Sequence, residues 1–71
     1  MTDELRHFLI AIAELAGESG EASEEAVRHR CGEGYGLLWQ TATELRYLKP
    51  APAHNMLALT TMGRFAAGAL G

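Results

Sequence analysis

Two neighbouring stretches of this chain, residues 23–31 and 36–48, repeat apolar side chains at helical spacing, and only a glycine-rich run separates them: Gly32-Glu33-Gly34-Tyr35-Gly36. Glycine reaches positive φ at no steric cost, so this run predicts a tight turn rather than a linker. Two helices joined so closely must cross and pack on one another. Neither stretch is long enough to be a stable helix alone in water. Both therefore need a third apolar surface.

The N-terminal segment supplies that surface. Thr2 can cap a helix, with Asp3 and Glu4 in the first turn where the helix dipole favours carboxylates. Leu5, Phe8, Leu9, Ile12, Leu15 and Ala16 then recur at three and four residues, an amphipathic helix facing a core. Gly17 to Gly20 ends it. Ile10 falls on the opposite face with Arg6, His7 and Glu14, either as a stray surface residue or as a dimer contact. Ser23 is the expected cap of the second helix, with Ala26, Val27 and Cys31 as a narrow apolar stripe. In the third, Leu38, Thr41, Ala42, Leu45 and Leu48 share one face, and Trp39, Gln40, Thr43 and Tyr47 the other. Pro50 stops it.

Residues 50–55 read as a turn, and Met56 to Thr60 as a short strand with Leu57 and Leu59 pointing inward. Thr60 or Thr61 caps a last short helix. Met62, Phe65, Ala66 and Ala69 are expected to line its apolar face.

The whole chain is 71 residues, room for a single domain over residues 1–71 with one small core. No apolar run approaches the ~20 residues of a membrane helix. The acidic start gives no basic leader region. Cys31 is the only cysteine, which excludes an intrachain disulfide and fits a reducing, cytoplasmic setting. The net charge is −3, but it is unevenly spread. Residues 1–35 carry three basic and eight acidic groups, and residues 36–71 carry Arg46, Lys49 and Arg64 against Glu44 alone. Such asymmetry can give an acidic protein a weakly positive face.

Two helices joined by a short glycine-bearing turn are the pattern of a helix-turn-helix, whose second helix enters the DNA major groove. The chain resembles the winged helix-turn-helix superfamily, including MarR-, PadR- and ArsR-like bacterial or phage regulators. Ala22-Ser23-Glu24-Glu25-Ala26-Val27 looks like the opening of their second helix. Glu44-Leu45-Arg46-Tyr47-Leu48 resembles the end of their recognition helix, and Leu59-Thr60-Thr61-Met62-Gly63 their "LTxxG" ending of the wing. The resemblance covers about Leu5 to Phe65. It implies a mainly α fold: a three-helix core, a short wing and a short C-terminal helix. Where the family's wings often carry basic residues, residues 50–55 hold two prolines and no Arg or Lys. A truncated wing without a regular two-stranded hairpin is therefore expected.

The function this implies is a small sequence-specific DNA-binding transcriptional regulator reading double-stranded DNA with helix 36–48. The alternative is an acidic winged helix used as a protein-interaction module. Gln40 can pair with adenine, Thr43 can meet a thymine methyl or a phosphate, and Arg28, Arg30, Arg46 and Lys49 can meet phosphates. Trp39, Tyr47, Tyr35 and His54 complete the candidate contact set. Each has a plainer role: solvated face, helix-dipole partner or packing. A homodimer through the Ile10 face or the C-terminal helix is a further expectation. His29 and Cys31 diverge on a helix and match no zinc spacing, so no metal or other cofactor is expected. No nucleophile–base or paired-carboxylate arrangement can be placed, so no enzyme activity is expected.

Overall fold

A computed structural model describes residues 2–50 and 55–68 of the chain. Four α-helices and a three-stranded antiparallel sheet lie within them: α1 (Asp3–Ala16), β1 (Glu21–Ser23), α2 (Glu24–Cys31), α3 (Tyr35–Glu44), β2 (Leu48–Pro50), β3 (Met56–Leu59) and α4 (Thr61–Ala67). The expectation of a mainly helical chain holds. The sheet order is β1-β3-β2, so β3 is central. Glu21 pairs with Ala58 on one side of it, and Leu48 pairs with Leu59 on the other.

Three helix starts follow from one chemistry. The hydroxyls of Thr2, Ser23 and Thr60 accept from the N–H groups of Leu5, Ala26 and Gly63. Each satisfies a donor that the first helical turn leaves unpaired. Glycines with positive φ follow α1, α2 and α4, at Gly17, Gly32 and Gly68.

The core lies where α1 crosses the sheet and the other helices. Phe8, Leu9, Ile12 and Val27 are fully buried, and Leu5, Ala22, Ala42, Leu48, Leu57 and Leu59 close around them. Burying side chains of this size is worth about 1.5–3 kcal/mol each, which is what holds helices this short in place.

The structure corrects several expectations, among them that Leu15 faces the core, since it is 40% exposed. First, β1 is a strand that periodicity did not reveal, because three residues cannot display a period. Second, the prolines do not prevent the hairpin: β2 and β3 pair antiparallel through Pro50 and Leu57. Proline is tolerated because β2 is an edge strand, where a missing N–H can face away from the ladder.

Third, α3 stops at Glu44 rather than reaching Leu48. Arg46 adopts φ 65°, its N–H donates to the Thr43 carbonyl at 3.0 Å, and the Tyr47 N–H donates to the Ala42 carbonyl at 2.8 Å. These two bonds make a Schellman ending with arginine where glycine is usual. Leu45 is left exposed, and Leu48 reaches the core from a strand. Fourth, α4 buries Gly63 and Ala67 and half-buries Ala66, while Met62 and Phe65 are 58% and 63% exposed. The cause is the tight seat of Gly63, where a Cβ would run into the Tyr47 carbonyl. The helix can dock only by its smallest face. Ala69 lies outside the described residues. Because α4 packs along α1, Ile10 is half-buried against the core instead of standing free.

Candidate functional site

The helix-turn-helix pair is α2 and α3, joined by a single 3₁₀ turn, Gly32–Gly34. The inward side of α3 is Tyr35, Leu38, Thr41 and Ala42. The exposed side chains on the rest of it are Leu37, Trp39, Gln40, Thr43 and Glu44. Successive residues turn by about 100°. Trp39 and Thr43 therefore face the hairpin, while Leu37, Gln40 and Glu44 face outward.

The outward strip carries no cation. Leu37 is 72% exposed, and the Gln40 side-chain amide donates to a Glu44 carboxylate oxygen at 3.3 Å. Leu37 was not among the sequence-based candidates. The Leu37-Leu38 pair was the available signal: adjacent residues on a helix point about 100° apart, and on the narrow inward face of α3 Leu38 is the one packed against the core.

On the hairpin side, Trp39 and Thr43 form one wall of a groove of about 230 Å³. Leu48 and Lys49 of β2, Met56 and Leu57 of β3, and Glu24 line the rest of it. Leu48 and Leu57 are buried, Met56 is half-buried, and Trp39 is 41% exposed. The groove is floored by apolar side chains, and Lys49 and Met56 alternate with the buried Leu48 and Leu57 along their strands, so their side chains leave on the other face of the sheet.

The remaining candidates are dispersed. Tyr35 is only 8% exposed and belongs to the core, so it is not a surface contact for a phosphate. Its ring meets Phe8 edge to face at 5.9 Å, and the Arg28 guanidinium lies 5.2 Å from its centroid. Its hydroxyl is buried without a hydrogen-bond partner. Burial pushes its pKa up, Glu24 adds to that, and Arg28 opposes it. Arg28 also donates to Glu24 at 2.9 Å, and Arg30 meets Glu14 at 3.4 Å. These are the ion pairs found among the described residues. The half-buried Cys31 thiol is likewise raised by burial, against Arg30. Arg46 is exposed, but its backbone is fixed by the Schellman ending; Tyr47 is half-buried against the core. His54 lies outside the described residues.

Thr60 ties this region to α4. Its N–H donates to the Tyr47 carbonyl at 3.0 Å, and its hydroxyl donates to the Arg46 carbonyl at 2.6 Å while accepting from Gly63. The Leu59 to Gly63 segment thus fixes the corner between α3 and the hairpin.

No helix among the described residues is long and apolar enough to cross a membrane. No known protein family, characterised protein or solved structure matches this chain.

Proposed function

We propose that this chain is a winged helix domain whose α3 and hairpin form a docking face for another protein. The fold half of this reading is supported by the element order, by the hairpin that follows α3, and by the Leu59 to Gly63 corner. These features are compatible with the winged helix-turn-helix arrangement that the sequence resembles.

The function half rests on the outward strip of α3. A helix that reads a duplex needs free donors for base edges and nearby cations to displace phosphate counterions. This strip offers an exposed leucine, a carboxylate, and a glutamine amide already bonded to that carboxylate. Arg28 and Arg30, on the helix that would cross the backbone, are engaged by Glu24 and Glu14. Leu37 and Trp39 on α3 and Leu45 just after it are all exposed, an apolar grouping among polar residues that suits a protein interface.

A DNA-binding regulator is the second reading. Its support is that Lys49, Arg46 and Thr43 are exposed near the C-terminal end of α3 and make no ion pair among the described residues. Titration with a mixed-sequence duplex at low and moderate salt separates the two. The docking reading expects no measurable binding even at low salt. A micromolar or tighter complex that weakens steeply with salt overturns it in favour of DNA.

A further inference from the structure

We infer that two copies of this chain pair through the outer side of α1, with Arg6 of each copy against the partner's Glu14. The pairing goes beyond the docking reading and does not depend on it: Leu37, Gln40 and Glu44 of α3 take no part in it.

Shape comes first. Arg6, Ile10 and Glu14 stand four residues apart on α1, so they form one ridge on its surface. An open hollow lies on each side of that ridge, and Ile10 and Glu14 border both. One, of about 530 Å³, runs between α1 and the α2–α3 turn, where Ala11, Cys31 and Leu38 line it. The other, of about 500 Å³, lies between α1 and the end of α4, where Ala13, Ala67 and Gly68 line it. Ile10 is half-buried, and its remaining surface opens into both hollows. A ridge beside a hollow fits its own copy turned about a two-fold axis, each ridge entering the other's hollow. Rows of side chains four residues apart interlock helices in this way, and the small residues at the end of α4 let the partner helix come close.

Charge names the occupant. Arg6 and Glu14 are equally distant from Ile10, one before it and one after. In an antiparallel two-fold pairing centred on Ile10, each Arg6 therefore meets the partner's Glu14, and both contacts join opposite charges. The other charged groups on this side cause no conflict. In the same register His7 falls opposite Ala13, Asp3 opposite Gly17 and Glu4 opposite Ala16. Arg6 and Glu14 are both exposed. Arg6 makes no ion pair among the described residues, and Glu14 has the loose 3.4 Å contact of Arg30. Its carboxylate has lone pairs enough to accept from both guanidinium groups. Within one chain Arg6 and Glu14 do not meet, since eight residues place them about 12 Å apart along the helix.

The test is sedimentation equilibrium of the chain from micromolar to millimolar concentration, and the expected result is a monomer–dimer equilibrium. Arg6→Glu and Glu14→Arg should each weaken it about tenfold or more, because symmetry makes each change act twice. The double variant, Arg6→Glu with Glu14→Arg, should recover to within about threefold of the original chain. General repulsion between two acidic chains behaves differently: Arg6→Glu would worsen it and Glu14→Arg would relieve it. Circular dichroism checks that each variant is folded. Where a reversal unfolds the chain, Arg6→Gln and Glu14→Gln take its place, each expected to weaken the dimer about threefold.

A chain that stays monomeric at millimolar concentration overturns the inference. So do a dimer indifferent to either reversal and a double variant no better than the single ones. A dimer lost instead with Phe65→Ser, on the exposed side of α4, overturns it as well. None of these outcomes bears on the docking reading, which the duplex titration decides.

Discussion

Replacing Thr60 by valine tests the corner on which the candidate face depends. Valine keeps the shape and the backbone N–H, so the 3.0 Å bond to the Tyr47 carbonyl survives. What is lost is the hydroxyl, which performs two tasks at once. As the cap of α4 it accepts from Gly63 at 3.0 Å, a role worth about 1 kcal/mol. As a donor it satisfies the Arg46 carbonyl at 2.6 Å, a solvent-accessible bond worth roughly 0.5–1 kcal/mol. Together these give a loss of about 1.5–2 kcal/mol. A domain of this length has a total stability of roughly 4–11 kcal/mol, so the change is large. It corresponds to a fall in Tm of roughly 6–16 °C, since each kcal/mol moves Tm by about 4–8 °C at this size. Thr60→Ser keeps both bonds and should lose less than about 0.5 kcal/mol. Thermal and urea unfolding followed by circular dichroism measure both variants. If serine and valine cost the same, the hydroxyl is not the tie between α3 and α4, and the account of this corner is wrong.

Gly63→Ala should cost roughly 2–3 kcal/mol in the same assay, because the added methyl meets the Tyr47 backbone and cannot be relieved by a rotamer change. Tyr35→Phe should be neutral or stabilise by about 1 kcal/mol, since it removes a buried hydroxyl that has no partner; a marked loss of stability would mean that the hydroxyl is satisfied after all. Stability should also fall at alkaline pH. Tyr35 and Cys31 have folded pKa values raised above their ordinary values of 10 and 9. The unfolded chain therefore sheds these protons first, so their contribution is intact below about pH 9 and is lost as pH rises through the folded values. In Tyr35→Phe the upper part of that decline should flatten, as urea unfolding between pH 8 and pH 11 would register.

The helices were legible because each carries a signal of its own. Thr2, Ser23 and Thr60 announce their caps, and Leu5, Phe8, Leu9 and Ile12 repeat at the helical period. What stayed hidden depended on contacts distant in sequence. β1 exists because Ala22 pairs with Leu57, 35 positions away, and nothing local marks it. Residues 45–48 continue a helical pattern, yet the chain leaves it through a left-handed arginine. That conformation costs about 1–2 kcal/mol in isolation. It is offset by the carbonyl bonds from Thr60 and by burial of Leu48 in the hairpin. In α4 the large residues suggested the core face, whereas the seat against Tyr47 admits only glycine.

The same distinction governs the candidate site. Counted by residue type, Arg28, Arg30, Arg46 and Lys49 make the helix-turn-helix look basic. Placed in the fold, they are not equivalent. Arg28 is shared between Glu24 and the face of Tyr35, and Arg30 lies against Glu14 from another helix. Both pairs are exposed and contribute little to stability, so they open readily to water; what they do is put a carboxylate beside each guanidinium and lower the local positive potential. Arg46 is placed by a backbone turn at the far end of α3, away from the outward strip. Lys49 is exposed and has no ion pair among the described residues, but on its strand it alternates with the buried Leu48 and points to the other face of the sheet. Two cations, Lys49 and Arg46, exposed and without an ion pair among the described residues, offer little counterion release to a polyanion. The docking reading therefore stands on the uncharged and acidic outward strip of α3, and the salt dependence of duplex binding is the measurement that decides it.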